Sequence, residues 1–184
     1  MSMIVNRRDL DFVLYETLDL EIILESERYA DYDRESLDAM MDLCQTIAED
    51  QFLPCAAKLD ANEPQFVDGK VETISELKEA IGAYREAGLC ASAYDLDVGG
   101  MQLPWMMDQA LNGMFVCANN PAHIYLFLTQ GVANMLNACG SDELKRKYLP
   151  NLVDGNWFGT MCLSEPQAGS SLADIRTKAD LNTD

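Results

Sequence analysis

The sequence predicts a mainly α-helical fold. A helical bundle occupies residues 1–155, and the first strand of a β domain opens over 156–184, a domain the 184 residues only begin. Three observations predict this. Apolar residues recur at helical spacing through most of the first 155 positions, and helix start and stop signals punctuate them. Near Asn156 the pattern changes to a short apolar and aromatic run, followed by a loop rich in Pro, Gly and Ser. Hydrophobic residues make up 48 % of the chain, enough to bury a core at this length.

Taken in order, Leu10, Val13, Leu14, Leu18 and Ile22 predict a helix from about Leu10 to Tyr29, with Asp9 as its N-cap. Asp31-Tyr32-Asp33 interrupts it. Leu37, Met40, Met41, Cys44, Ile47 and Ala48 predict a second helix that ends or kinks near Pro54. The stretch from Asn62 to Lys70, with Pro64 and Asp68-Gly69, reads as turn. Thr73-Ile74-Ser75-Glu76 has the form of a capping box, and the helix it opens closes at Gly88 in the C′ position. A long loop, Leu89 to Leu103, surrounds Gly99-Gly100. Pro104 starts a helix containing Trp105, Leu111, Met114 and Phe115, and Asn120-Pro121 starts another that runs through Ala138 to Gly140. Ser141 caps a short helix with Asp142 and Glu143 early and Lys145, Arg146 and Lys147 late, the order that suits the helix dipole. The strand begins at about Asn156.

The net charge of −18 repels nucleic acid and anionic membrane surfaces, so neither is expected as a partner. No stretch is apolar enough to suggest a leader or a membrane span, and a cytoplasmic protein or one of an organelle matrix is expected, the cytoplasm being the reading adopted. The six cysteines, Cys44, Cys55, Cys90, Cys117, Cys139 and Cys162, form no C-x-x-C pair and read as free buried thiols in a reducing compartment. His123 is the only histidine, which leaves no metal site and predicts a structural or surface role for it. Ser164, Ser170 and Ser171 have no histidine partner for nucleophilic chemistry, and no phosphate-binding glycine motif occurs. Met106 and Met107 beside Trp105 read as core or as the lining of an acyl pocket.

The chemistry concentrates between Asn156 and Ser171. After the apolar run come Ser164-Glu165-Pro166-Gln167-Ala168-Gly169-Ser170-Ser171. A loop of this composition can place backbone N–H groups and hydroxyls around a flat, hydrogen-bonding, partly anionic ligand, or it can be a polar connector.

Met161-Cys162-Leu163-Ser164-Glu165-Pro166-Gln167-Ala168-Gly169-Ser170 resembles the flavin-contacting segment of the acyl-CoA dehydrogenase family, C-[LV]-[TS]-E-P-x-A-G-S-D. Tyr148-Leu149-Pro150-Asn151-Leu152-Val153-Asp154-Gly155 resembles the family's Y-L-P-x-[LI]-x-x-G lead-in. Gly140 to Lys145 before it, and the loop Gly88 to Gly100, are also similar to the family. Arg8 to Leu14, Asp68-Gly69-Lys70-Val71 and Arg176-Thr177-Lys178-Ala179 resemble one bacterial branch, the 3-methylmercaptopropionyl-CoA dehydrogenases.

The resemblance covers essentially the whole chain and about the first third of a family member. It implies the family's N-terminal helical bundle and an FAD-dependent oxidation of an acyl-CoA to the 2,3-enoyl-CoA, in an oligomeric protein. By the same resemblance Met161, Leu163 and Ser164 line the isoalloxazine ring, Gly169 and Ser170 lie at the flavin phosphates, and Ser170 also lies near the acyl-CoA. Position 171 departs from the pattern, with Ser where the family has Asp. The family's catalytic glutamate belongs to a later domain, so no catalytic base is assigned within these 184 residues, and Glu165 is expected to fix the loop. The alternative implied is a non-catalytic helical module that retains the family's association surface.

Overall fold

The computed structural model describes residues 2–181 and is a helical bundle with one small hairpin. Helix α1 (Arg7–Asp11) runs directly into a π-helical turn, Phe12–Thr17, and α2 (Leu20–Leu24) follows. The continuous helix predicted over Leu10–Tyr29 does not form. Asp19 adopts left-handed backbone (φ 51°), a conformation that Asp tolerates better than most residues, and the chain changes direction there. The break turns Leu20 into the core and leaves Leu18 and Ile22 exposed, although the helical stripe had placed all three segments on one rod. Asp9 lies inside α1; Asn6 occupies the cap position.

Helix α3 (Arg34–Ile47) opens with a reciprocal cap. The Asp33 carboxylate accepts from the Ser36 amide at 2.8 Å, and the Ser36 hydroxyl accepts from the Asp33 amide at 3.0 Å. Leu37, Met41 and Cys44 face inward. Of the end or kink expected near Pro54, the rod does not end but its helical ladder is interrupted there. A π turn, Ala48–Phe52, widens the helix just before it, and Pro54 falls in the first turn of α4 (Leu53–Ala61), where a missing N–H costs nothing.

Strands β1 (Gln65–Val67) and β2 (Lys70–Glu72) pair antiparallel around Asp68-Gly69, with Phe66 opposite Val71. Both turn residues have positive φ, as a tight hairpin requires. The sequence showed the turn but not its three-residue strands.

Helix α5 (Ser75–Glu86) opens at Ile74 with no side-chain cap, so the capping box predicted at Thr73–Glu76 is absent. The helix starts one residue later than that box needs, and Glu76 pairs instead with Lys58 of α4. Gly88 closes α5 as expected, with φ 74°. The long loop that follows folds back on itself. The amides of Met101, Gln102 and Leu103 donate to the carbonyls of Ala91, Tyr94 and Ser92 at 2.8–3.1 Å.

Helix α6 (Trp105–Cys139) contains the two predicted helices, merged across a kink at Asn119 (φ −163°, ψ 85°). Helix α7 (Asp142–Val153) is capped by Ser141, whose hydroxyl accepts from the Leu144 amide at 3.3 Å. It continues through Pro150, so Lys145–Lys147 lie in mid-helix and not in the last turn, contrary to expectation.

From Asn156 onward the predicted strand does not form. The one β-type pairing there is an isolated bridge between Glu165 and Ala168. Among the described residues no neighbouring strand is available, and a lone strand leaves its edge groups unpaired.

The core has two parts. The larger lies where α3, α4, α5 and the first half of α6 meet around Phe52, Tyr84 and Phe115, whose rings meet edge to face at 4.8–4.9 Å about Phe115. The smaller packs Leu149, Leu152 and Val153 of α7 on Ala133 of α6 and on Ala91 and Tyr94.

Candidate functional site

The end of α7 determines where the loop begins. The amides of Asn156 and Trp157 both donate to the Asn151 carbonyl, at 2.9 and 3.0 Å, and turn the chain back over the second half of α6. Trp157 lies against Tyr148, and Phe158 meets Tyr125 edge to face at 6.0 Å. The Gly159 amide donates to the Thr129 hydroxyl at 3.0 Å. A Cβ at position 159 would lie 2.6 Å from Val132 Cγ2 and 3.2 Å from the Leu128 carbonyl, so only glycine lets the backbone come this close.

Beyond Gly159 the chain leaves the bundle. Thr160, Met161, Cys162, Leu163 and Ser164 are all exposed. The next fixed point is Glu165. Its carbonyl accepts from the Ala168 amide at 3.1 Å and its amide donates to the Ala168 carbonyl at 2.8 Å, closing a turn with Pro166 in its second position. The Glu165 carboxylate then gathers the C-terminal segment. It accepts from the amides of Arg176 (2.9 Å) and Thr177 (2.7 Å), from the Thr177 hydroxyl and from the Gln167 side chain. The Thr177 hydroxyl and the two backbone amides hold this carboxyl down at about 2.

The sequence-derived candidates therefore stand in one exposed segment. Met161 and Leu163 are 60 % and 45 % exposed, and Ser164, Gly169 and Ser170 are exposed as well. A Cβ at Gly169 would meet nothing within 4 Å. Ser171, the departure from the family string, donates its hydroxyl to Asp174 at 2.6 Å and begins the short 3-10 turn Leu172–Asp174. None of the five candidates lines the groove of about 1020 Å³ between α5 and the Phe158 turn, which is walled by Leu77, Ile81, Arg85, Tyr125 and Phe158.

The sequence did not show the buried polar cluster within the bundle. Asn112 Oδ1 accepts from the Tyr84 hydroxyl at 3.0 Å and lies 2.9 Å from His123 Nε2; its amide nitrogen donates to the Asp108 carboxylate at 3.1 Å. Asp108 also accepts from Ser92 and Gln109. Burial raises the Asp108 carboxyl and lowers His123 to about 4. His123 stacks nearly parallel on Phe115 and is wholly enclosed, so of the two roles expected for it the structural one holds. Met107 is buried while Trp105 is largely exposed, and neither reaches the loop segment's contacts described above. The only sequence signal for the cluster was the presence of Asn and Asp within an apolar helical stripe.

The six cysteines are all free thiols. Cys44, Cys55 and Cys90 are buried, but Cys117, Cys139 and Cys162 are exposed, so the expectation of buried thiols holds for half of them. Cys55 lies in α4. Among the described residues no group of His, Cys, Asp and Glu could hold a metal ion, and no helix is long and apolar enough to cross a membrane.

Known proteins resemble the chain in sequence and fold. The family "Acyl-CoA dehydrogenase, N-terminal domain" matches residues 34–156. A butyryl-CoA dehydrogenase of Syntrophomonas wolfei is 30 % identical over 177 residues, covering 93 % of this chain and 28 % of its own length. The 3-methylmercaptopropionyl-CoA dehydrogenase of Ruegeria pomeroyi is 26 % identical over 172 residues, covering 94 % of this chain and 29 % of its own. Among solved structures, the butyryl-CoA dehydrogenase of Megasphaera elsdenii superposes with a TM-score of 0.63 at 18 % identity, over 79 % of this chain and 36 % of that one, a likeness of fold. The chain thus spans less than a third of the length of these curated relatives. With the family match running from the cap of α3 to the turn after α7, the chain belongs to the acyl-CoA dehydrogenase family and carries its N-terminal helical domain.

Proposed function

We propose that the chain is the N-terminal part of an FAD-dependent acyl-CoA dehydrogenase, which oxidises an acyl-CoA thioester to the 2,3-enoyl-CoA. The observation that carries this reading is the loop pinned at Gly159 and at Glu165, which presents Met161, Leu163, Ser164, Gly169 and Ser170 together to solvent beside a bundle of that family.

The residues present fit one side of a flavin. Met161 and Leu163 offer apolar surface to a ring face. The hydroxyls of Ser164 and Ser170 have no hydrogen-bond partner among the described residues, and nothing crowds Gly169, so phosphates can approach the backbone there. Ser164 would donate to the ring edge, Gly169 and Ser170 to the phosphates, and Ser170 also to the acyl-CoA. When bound, FAD supplies the acceptor for the hydride leaving the β-carbon.

Glu165 is not the base. It is committed as a carboxylate to backbone and side-chain donors, and at about 2 it holds a proton poorly. We place the base, and the rest of the cofactor site, in residues beyond 184 and in a partner subunit of a homo-oligomer. We put the domain boundary at 155/156; Gly155 (φ 67°), just past the end of α7, supports that reading. The six free thiols suit a cytoplasmic protein.

Equilibrium dialysis and an absorbance titration of FAD against the 184-residue chain test the reading. Retained flavin with a shifted spectrum, weakened several-fold by Ser164→Ala and by Ser170→Ala, is expected, each change removing about one charge-assisted or neutral hydrogen bond. Binding indifferent to both substitutions would remove the loop from the cofactor site; flavin that dialyses away from the unaltered chain would put the affinity in the part of the site placed beyond residue 184.

A further inference from the structure

We infer that Thr129, in the second half of α6, is a positioning residue that sets where the Met161–Ser170 loop stands relative to the bundle. The inference deepens the flavin reading above and takes its meaning from it.

Thr129 is buried, and its hydroxyl is used twice. It donates to the Tyr125 carbonyl one turn back, at 2.6 Å, and accepts from the Gly159 amide at 3.0 Å. The first bond orients the hydroxyl, since a donor already spent on its own helix leaves only lone pairs for the incoming amide. The surrounding residues build a saddle for that amide. Tyr125 meets Phe158 on one side, and Val132 and the Leu128 carbonyl lie under Gly159 on the other. Four successive positions on one face of α6 therefore receive two successive residues of the loop's lead-in.

Its place in the chain makes this contact decisive. Gly159 is the last residue before the candidate segment whose backbone is hydrogen-bonded to the bundle; among the described residues, Thr160 to Ser164 make no further backbone bond until Glu165. Glu165 shapes the loop from within, because its partners are Gln167, Ala168, Arg176 and Thr177. It gives the loop form but no address. The address comes from the Gly159–Thr129 bond, two residues before Met161. Losing the acceptor leaves the loop's shape intact and frees its position.

The test uses the 184-residue chain with Cys117→Ser and Cys139→Ser, which leaves Cys162 as the exposed thiol for a nitroxide label. Cys162 is three residues from Gly159, at most about 11 Å along the chain, so the label broadens amide signals of α6 around Leu128–Val132. Thr129→Val keeps the shape of the side chain and removes the acceptor. It is expected to weaken and spread that broadening and to speed exchange of the Gly159 amide about tenfold. Thr129→Ser, which keeps the hydroxyl, is expected to restore both. Thr129→Ala also removes the acceptor, and serves if Thr129→Val does not fold. Unchanged broadening and unchanged Gly159 exchange in Thr129→Val, or equal loss in Thr129→Ser, would overturn the inference. These readouts need no flavin. If FAD is retained but its binding is indifferent to Ser164→Ala and Ser170→Ala, the flavin reading falls and the label still decides the role of Thr129; if those substitutions weaken it, Thr129→Val should lower the affinity about tenfold and Thr129→Ser should not.

Discussion

Asn119 Nδ2 donates to the Phe52 carbonyl at 3.0 Å, joining the kink of α6 to the last residue of the π turn between α3 and α4. The same side chain caps the helix beyond the kink, Oδ1 accepting from the Ala122 amide at 3.1 Å. Both irregularities arise near a proline, Pro54 in one rod and Pro121 in the other, where a backbone donor is missing. One amide side chain serves a carbonyl on one rod and an amide on the other.

Asn119→Ala removes these two bonds, and a third to Cys55 Sγ at 3.3 Å, in a buried site. Loss of the cap and of the donor to a buried carbonyl predicts a destabilisation of about 2 kcal/mol. Urea unfolding followed by circular dichroism measures it. A change below about 0.5 kcal/mol would mean that water or relaxation replaces the contact.

The buried His123 predicts a pH dependence. Its folded value of about 4 lies below the ordinary 6.5, so between these limits the unfolded chain binds more protons. Stability is therefore full above about 6.5 and is lost as pH falls toward 4, by at most about 3 kcal/mol. Asp108, in the same cluster, acts in the opposite sense: its raised carboxyl gives up stability as pH rises through its folded value. The histidine's part is isolated by comparison with His123→Gln, which keeps a donor toward Asn112 and does not titrate there. The stability of the parent relative to His123→Gln should fall from pH 7 to pH 5, and a constant offset would contradict the assignment.

What the sequence made legible was periodic. The stripes of α3 and of both halves of α6, and the start at Ser141, rest on local signals, and the structure uses those signals where they stand. The misreadings share a cause. Asp19 breaks the first helix because the core needs Leu20 turned inward, and Lys58 takes Glu76 from its expected box. Both depend on packing that local pattern does not show: the bundle core that encloses Leu20, and Lys58, eighteen residues before Glu76. The strand after Asn156 failed for the same reason, since strand formation depends on a neighbour that residue pattern cannot supply. For the loop, the turn at Pro166 was visible locally; the bond between Gly159 and Thr129, thirty residues apart, was not.

The cysteines divide into two reactivity classes. Burial pushes Cys44 up to about 12 and Cys90 up to about 11, and Cys55 is also raised by burial. Cys117, Cys139 and Cys162 are open to solvent. A disulfide-exchange reagent at pH 8 should therefore titrate three thiols rapidly in the native chain and six after unfolding. Four or more rapid equivalents would show that one of the buried positions opens on the time scale of the reagent.

Glu165 organises the C-terminal segment from outside the core, and this gives a local prediction. Its carboxyl is held at about 2, below the ordinary 4.5, so the contacts to Arg176 and Thr177 are fully present above 4.5 and are lost only as pH falls through about 2. Across the range in which the bundle is folded the segment should remain tied to the turn. Glu165→Ala removes the acceptor that gathers both amides. The chain after Arg176 is then freed, and trypsin should cleave at Arg176 several-fold faster in this variant while sites within α3, α5 and α7 are cut at the parent's rate, because proteolysis follows local opening. Glu165→Gln retains one acceptor oxygen and should fall between the two. Equal rates at Arg176 in all three chains would show that the carboxylate does not hold the segment, and the fixed end of the loop would then lie at the Pro166 turn alone.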